Sequence, residues 1–256
     1  MNLIRSEWIK LRTLRLNVVL IVVAFVFVFG ILTLVGLFVP SSELEDGFGP
    51  RSGDIVTIVG VAGVLGGLLV SVVSVLSVTS EFGHGTIRPT LAATPNRVKV
   101  FGAKALLLAM IAGAVGLVTG LASYLVGFVL LSARGAEELE LFDDDGTVAV
   151  LVGMPIFYVI LAMFGYGLGL LIRSSPAAVA VTILWPIIIE NVLQVALSIA
   201  RIDDPIRFMP YLSSVALVVA EPEGYSNGRI GGGLYFGAVV IALVVVAIGI
   251  NTKRDV

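Results

Sequence analysis

The charges in this chain are spaced in a way that leaves few folds open. No charged side chain occurs between Arg15 and Glu43, between Asp54 and Glu81, between Lys104 and Ser132, between Asp145 and Arg173, or between Arg229 and Lys253. A sixth stretch, from Arg173 to Arg201, is broken only by Glu190. Each gap exceeds the ~20 residues that cross a ~30 Å hydrocarbon core at ~1.5 Å per residue. Backbone groups in lipid must be satisfied within their own segment, so the spans are expected to be helices. The alternating ~10-residue segments of a transmembrane barrel do not occur. Six spans follow, near 18–39, 55–79, 104–131, 148–172, 177–200 and 231–250.

Composition agrees. Hydrophobic residues make up 58% and charged residues 13% of the 256 residues, where soluble domains carry about 25% charged residues. So few charges cannot cover a water-soluble surface of this size. The expectation is one all-α integral membrane domain over 1–256. The net charge of −2 argues against a nucleic-acid binder. The absence of cysteine excludes disulfides and thiolate chemistry, and a single histidine excludes a multi-His metal site within one chain. No G-x-x-x-x-G-K-[ST] segment is present for nucleotide phosphates. No cofactor is expected on the chain itself.

The loops set the orientation. Eleven basic residues fall on the side of the N-terminus, including Arg5, Lys10, Arg12, Arg15, Arg88, Arg97, Lys99 and Lys104, and five on the other. Lys/Arg excess marks the cytoplasm, so both termini are expected there. The start of the chain, basic and then apolar, also resembles a signal peptide. Its apolar run continues past Phe29 to Val39, longer than a signal peptide's ~7–15 residues, so it reads as an uncleaved first span.

Three segments are neither span nor plain loop. In residues 1–16, Ile4, Trp8, Leu11 and Leu14 recur at helical spacing and Lys10 and Arg12 border them. This predicts an interfacial elbow helix, with Trp8 at headgroup depth and the basic residues toward anionic lipid. It serves as an anchor, or also touches a cytoplasmic partner. In 81–97 (EFGHGTIRPTLAATPNR), Thr86 is a good N-cap, Pro89 is tolerated in the first turn and Pro95 stops the helix. Gly83 and Gly85 permit a sharp turn before it. A short helix between spans two and three follows, unless this is an ordinary basic loop. Residues 209–220 (MPYLSSVALVVA) are apolar but too short to span, and predict a re-entrant or interfacial helix before the last span, acting as plug, gate or packing.

Glu190 lies mid-span in WPIIIENVLQ, with Asn191 beside it and Pro186 one turn earlier. A mid-bilayer carboxylate must face a bundle interior or a wet cavity. It is a candidate for a translocation path or ion site, as is Asn191, or else a hydrogen-bonded strut. Gly63 with Gly67, and Gly116 with Gly120, have the spacing that lets helices approach closely, and Gly165, Gly167 and Gly169 alternate on the fourth span.

Taken together, the basic start (SEWIKLR), six spans, the SEFGHGTIRPTLAATPNR segment, WPIIIEN in span five and the long last outer loop resemble the permease subunits of ABC-2 type transporters. The resemblance covers essentially the whole chain. Its most specific part is Glu81, Gly85-Thr86, Leu91, Thr94-Pro95 and Arg97, in that order. Gly83 stands where a basic or polar residue is common. The resemblance implies a type V exporter-like fold with a coupling helix over 86–93. A separate cytoplasmic ATPase, expected in two copies, binds ATP and Mg and receives that helix in a groove. Ile87, Leu91 and Ala92 would pack there, and Glu81 and Arg88 would fix orientation. A second permease copy would complete the transporter as homodimer or heterodimer. Such systems mostly export. An ion-coupled secondary transporter using Glu190 is the rival expectation, and a structural or assembly scaffold that moves nothing is a third.

Overall fold

The computed structural model describes residues 2–13, 15–38, 52–87, 96–133 and 145–253. Among the described residues all regular structure is helical. Helix α1 covers Asn2–Thr13, α2 Arg15–Phe38, α3 Ser52–Gly83, α4 Arg97–Ala133 and α5 Asp145–Ile172. Next come α6 (Ser175–Leu184), a π-helical turn (Trp185–Ile189) and α7 (Glu190–Ile199), which form one continuous rod. A 3-10 turn (Pro205–Phe208) leads to α8 (Pro210–Val215), and α9 (Gly228–Lys253) ends the described chain.

Five of these rods are long and apolar enough to cross a membrane: α3, α4, α5, the α6–α7 rod and α9. Helix α2 carries a shorter apolar run, Val18–Leu34. The chain is therefore a multi-pass membrane protein. Side-chain contacts order the five rods alternately up and down. The C-terminal ends of α3, α5 and α9 meet the N-terminal ends of α4 and α6, and α1, at one end of the bundle. This is the basic end. The outer segment around α8 meets the opposite, acidic end.

Two helices are longer than their charge-free runs. Helix α3 continues past 79 to Gly83, and α4 begins at Arg97 rather than 104. The charges at these ends stay helical because they pair across helices. Asn96 starts α4 as an N-cap, its Oδ1 accepting from the Lys99 backbone N–H at 3.0 Å. The fifth span is the other departure. Pro186 lacks an N–H, and the helix widens into the π turn at Trp185–Ile189 instead of continuing regularly.

Helices α3 and α5 form the centre. The α3 span is 67% buried, the α6–α7 and α9 spans only 22%, so the latter are peripheral. The glycines expected to mediate close packing do so around α5. A Cβ on Gly116 would sit 2.9 Å from the Pro155 Cα, and one on Gly165 would strike the Ser71 carbonyl oxygen. The backbone of the outer segment rests on glycines of three different helices. A Cβ on Gly60 (α3) would collide with the Val218 carbonyl, on Gly153 (α5) with that of Leu217, and on Gly232 (α9) with that of Ser213. Tyr211 of α8 then inserts between α5 and α9, 6.2 Å from the Phe157 ring and 6.1 Å from the Phe236 ring. The 209–220 segment is thus a packed part of the acidic end.

Gly232→Ala should lower stability in detergent by about 1–3 kcal/mol, the usual cost of overpacking, because backbone cannot move aside as a side chain can. Gly249→Ala, where a Cβ meets nothing within 4 Å, should leave the thermal unfolding midpoint unchanged or raised.

Candidate functional site

Four charged side chains converge at the basic end. Lys104 enters from α4 and is 2% exposed. Its ammonium contacts Glu7 of α1 and lies 3.1 Å from Glu81 Oε1 of α3. Lys10 of α1 approaches from the solvent side, 2.7 Å from Glu7 Oε1 and 3.0 Å from Glu81 Oε1. Two acids and two bases leave the node neutral, which is the condition for burying charge in an apolar bundle. Lys104 also reaches the Ser77 carbonyl at 3.4 Å. Nearby, Tyr166 donates to the Phe101 carbonyl at 2.8 Å, tying α5 to α4.

A second set of contacts extends the basic end to α9. Arg173 joins α5 to α6 in the left-handed region, with φ 56°. That turn sends its guanidinium onto the Asn251 carbonyl oxygen Oδ1, at 3.1 and 2.7 Å, and over the Phe82 ring at 4.9 Å. Arg97 donates to the Asn251 backbone oxygen at 3.4 Å. Ser175 donates to Thr79 at 2.7 Å. The ends of α3, α4, α5, α6 and α9 are therefore joined around the segment that leads from α3 to α4.

The residues expected to meet an ATPase are divided by this arrangement. Glu81 is turned inward onto Lys10 and Lys104. Ile87 is 2% exposed and packs with Val78, Val100 and Phe101 in the bundle, so its side chain does not face outward. Gly85 takes a left-handed φ of 68°, which makes the expected turn, and Thr86 donates to the Glu81 carbonyl at 3.5 Å. Arg88, Leu91 and Ala92 lie outside the described residues. In α1, Trp8 is exposed. Lys10 departs from the expectation of facing lipid and points into the node. Arg12 lies on α1, its side chain outside the described set. Glu7 and Lys104 were missed from sequence. The available signal was that Glu7 is the one acid among the basic residues of the first helix, and that Lys104 heads a long apolar run with an acid, Glu81, at the matching end of the preceding span.

At the acidic end the mid-span carboxylate has a defined job. Glu190 is 1% exposed. It accepts hydrogen bonds from the Trp185 indole N–H at 3.0 Å, from the Tyr211 backbone N–H at 3.1 Å and from the Leu212 backbone N–H at 2.9 Å. The last two are first-turn donors of α8, so Glu190 caps that helix from another span. Arg229 of α9 serves the other end, donating to the carbonyls of Leu217 at 3.3 Å and Ala220 at 2.9 Å. Asn227 adds contacts to the Arg207 carbonyl and the Ser213 hydroxyl. Asn191 points away from this site and donates to the carbonyls of Pro186 and Ile187 at the π turn.

Removing one charge from the basic node should be costly. Lys104→Met should destabilise by about 3–5 kcal/mol, and Glu7→Gln added to it should recover part of the loss. The pH response follows from the groups outside the spans. Burial opposes ionisation of Glu7, but Lys104 and Lys10 outweigh it and hold the carboxyl below its ordinary 4.5. Burial likewise opposes the charge on Lys10, but the bonds to Glu7 and Glu81 outweigh it and hold the amine above its ordinary 10.5. The Glu7 contribution is therefore full above pH 4.5 and lost as the pH falls through the lowered value. The Lys10 contribution is full below pH 10.5 and lost as the pH rises through the raised value. Amide exchange of α1 should show protection that is flat across neutral pH and fails only at those extremes. At the other end, Glu190→Leu should expose the Tyr211 and Leu212 amides to exchange and cost about 0.5–2 kcal/mol, the value of a helix cap.

These contacts place two charged nodes at opposite ends of a multi-pass bundle, one around the α3–α4 connection and one around the outer segment. No curated protein matches the chain. A family model described as ABC-2 family transporter protein matches residues 3–189, from the elbow helix through the π turn. That is well over half of the 256 residues, and the chain belongs to the family of ABC-2 transporter membrane proteins.

Proposed function

We propose that the chain is the permease subunit of an ATP-binding cassette exporter, without catalytic activity of its own. With a second permease copy it forms the translocation path. Separate cytoplasmic ATPase subunits, two per assembly, bind ATP and Mg and supply the energy. On this reading α2 is the sixth span, the basic end faces the cytoplasm, both termini lie there, and the membrane is the plasma (inner) membrane.

The observation that supports this most is the way the basic end is joined. The segment after α3 is the one that would receive an ATPase. It leaves α3 two residues after Glu81 and returns at Arg97. Glu81 is held by Lys104 of α4 and Lys10 of α1, and Arg97 by the carbonyl of Asn251 in α9. A push on this segment therefore reaches α1, α3, α4 and α9 together, as a rigid-body change between two packings requires. Residues 86–93 act as the coupling helix. Arg88, Leu91 and Ala92 make the partner contact, Gly85 and Thr86 set the turn, and Ile87 anchors the helix to the bundle. Glu190 positions the outer segment, a role its three accepted bonds support over that of an ion site.

The test is copurification from mild detergent with identification of the partner. A stoichiometric P-loop ATPase is expected. Arg88→Glu or Leu91→Asp should release it, or leave it bound while abolishing the coupling of ATP hydrolysis to transport, with membrane insertion unchanged. Full recovery of a normally stimulated ATPase with both variants would overturn the coupling-helix assignment. Transport by the purified chain without any ATPase would overturn the exporter reading itself.

A further inference from the structure

A groove lies between α2 and α4. Ile21, Val22 and Phe25 form one wall and Ala114, Val118 and Thr119 the other, around a cavity of about 370 Å³. That is within the ~300–1,000 Å³ of ordinary ligand pockets. Val22 and Val118 are exposed at its mouth, so it opens sideways into the bilayer. Ala114 gives it depth, a methyl group standing where the adjoining turns of α4 carry Met110 and Val118. Thr119 is near the middle of the charge-free run from Lys104 to Ser132, so the groove sits deep in the membrane. No charged side chain lines it, and its one polar group is the Thr119 hydroxyl. Thr119 is 1% exposed, and its hydroxyl makes no hydrogen bond among the described residues. Other threonines in the spans spend theirs on the carbonyl one turn back, Thr33 on Phe29 at 2.9 Å and Thr182 on Ala178 at 2.7 Å. The unpartnered hydroxyls of Ser123, Thr147 and Tyr158 are sealed within the bundle, whereas Thr119 lines the cavity.

An unpaired hydroxyl at this depth is costly, because hydrocarbon offers it neither donor nor acceptor. Acyl chains fill such a groove by shape and leave Thr119 unpaired. A molecule with an apolar body and one hydrogen-bonding group fills the walls and satisfies the hydroxyl, which both donates and accepts. A charged molecule is opposed, because the groove supplies no counter-ion and a charge in the bilayer interior is expensive. Entry is from the bilayer, through the gap between Val22 and Val118. Building on the reading of the chain as an exporter permease, we infer that the α2–α4 groove is a cargo site contained within one chain. The cargo it takes is an uncharged, membrane-dissolved molecule, apolar along its length and carrying an alcohol, ester or amide that pairs with Thr119.

The probe is a long-chain alcohol bearing a diazirine, with the matching diazirine alkane as control, applied to native membranes. After illumination, mass spectrometry of fragments locates the label. The alcohol should label 21–25 and 114–119 saturably, and unlabelled long-chain alcohol should displace it. Thr119→Val keeps the shape and removes the hydroxyl. It should weaken alcohol binding by about 2–10-fold, the worth of one hydrogen bond, and leave the alkane unaffected, and Thr119→Ser should restore the alcohol. Ala114→Phe, at an exposed position with room for a larger side chain, should fill the groove and abolish saturable labelling by both probes. In the complex with its ATPase, the alcohol should stimulate ATP hydrolysis, and Ala114→Phe should remove that stimulation. Unsaturable labelling that falls equally on Ile241 and Val245 of α9 would overturn the inference, the groove then holding bulk lipid. Alcohol binding unchanged by Thr119→Val, or lost equally with the alkane, would overturn the chemical class assigned to the cargo. Saturable labelling that leaves a bound ATPase unstimulated would overturn the groove as a cargo site while the exporter reading stands. Saturable, hydroxyl-dependent labelling of a chain that copurifies with no ATPase would uphold the binding site and overturn the exporter reading.

Discussion

A buried ammonium in so apolar a bundle needs carboxylates within reach, and the basic end is organised around meeting that need at Lys104. One acid comes from the elbow helix and one from the end of α3, although Glu7 and Glu81 are far apart in sequence. Lys10 supplies the second cation that makes the set neutral. Such a node adds little net stability over an apolar core of equal volume, because desolvation consumes most of the attraction. Its consequence is geometric. Three helices must keep their ends in register, since a lone member left behind would be an uncompensated buried charge. The segment between α3 and α4 is bracketed by that constraint, and Arg173 and Arg97 extend it to α5 and α9 through Asn251.

The acidic end solves a different problem with similar means. A six-residue helix has almost no internal hydrogen bonding to hold it, and both its ends present orphan backbone groups. Glu190 satisfies N–H groups at one end, and Arg229 satisfies carbonyls just beyond the other. The signs match the helix dipole, with the anion at the N-terminus and the cation toward the C-terminus. Between them the backbone lies against Gly60, Gly153 and Gly232, where no side chain intervenes. The outer segment is therefore tied to α3, α5, α7 and α9 together, and a change in the relative packing of these spans has to carry it along. The two ends of the bundle are thereby linked through the same central helices, α3 and α5.

Helix α7 turns Glu190 inward onto the first turn of α8 and leaves Val192, Val195 and Ile199 exposed. A one-residue shift in helix register, about 100° of rotation, would take Glu190 off those amides. The π turn at Trp185–Ile189, immediately before Glu190, sets that register.

Much of this was legible in the chain itself. The charge-free runs dictate spanning helices, because an unsatisfied backbone in lipid is too costly. The run from Arg15 to Glu43 already marked α2, and the glycine spacings marked the close approach to α5. Trp8 and the turn at Gly85 also followed from local rules. The direction in which the charged residues point did not. Glu81, Lys10 and Ile87 are near the membrane surface in sequence and could each face outward or inward. Only the meeting of α1, α3 and α4 turned them inward, Glu81 onto Lys104 and Lys10, and Ile87 against Val100 and Phe101, and no local pattern encodes a meeting of residues so distant in sequence. The same holds for Glu190. Sequence placed a carboxylate within a span and so demanded a polar partner. That the partner is the first turn of α8 was decided by tertiary packing, because capping donors become available only once the outer segment has settled on its glycine seat.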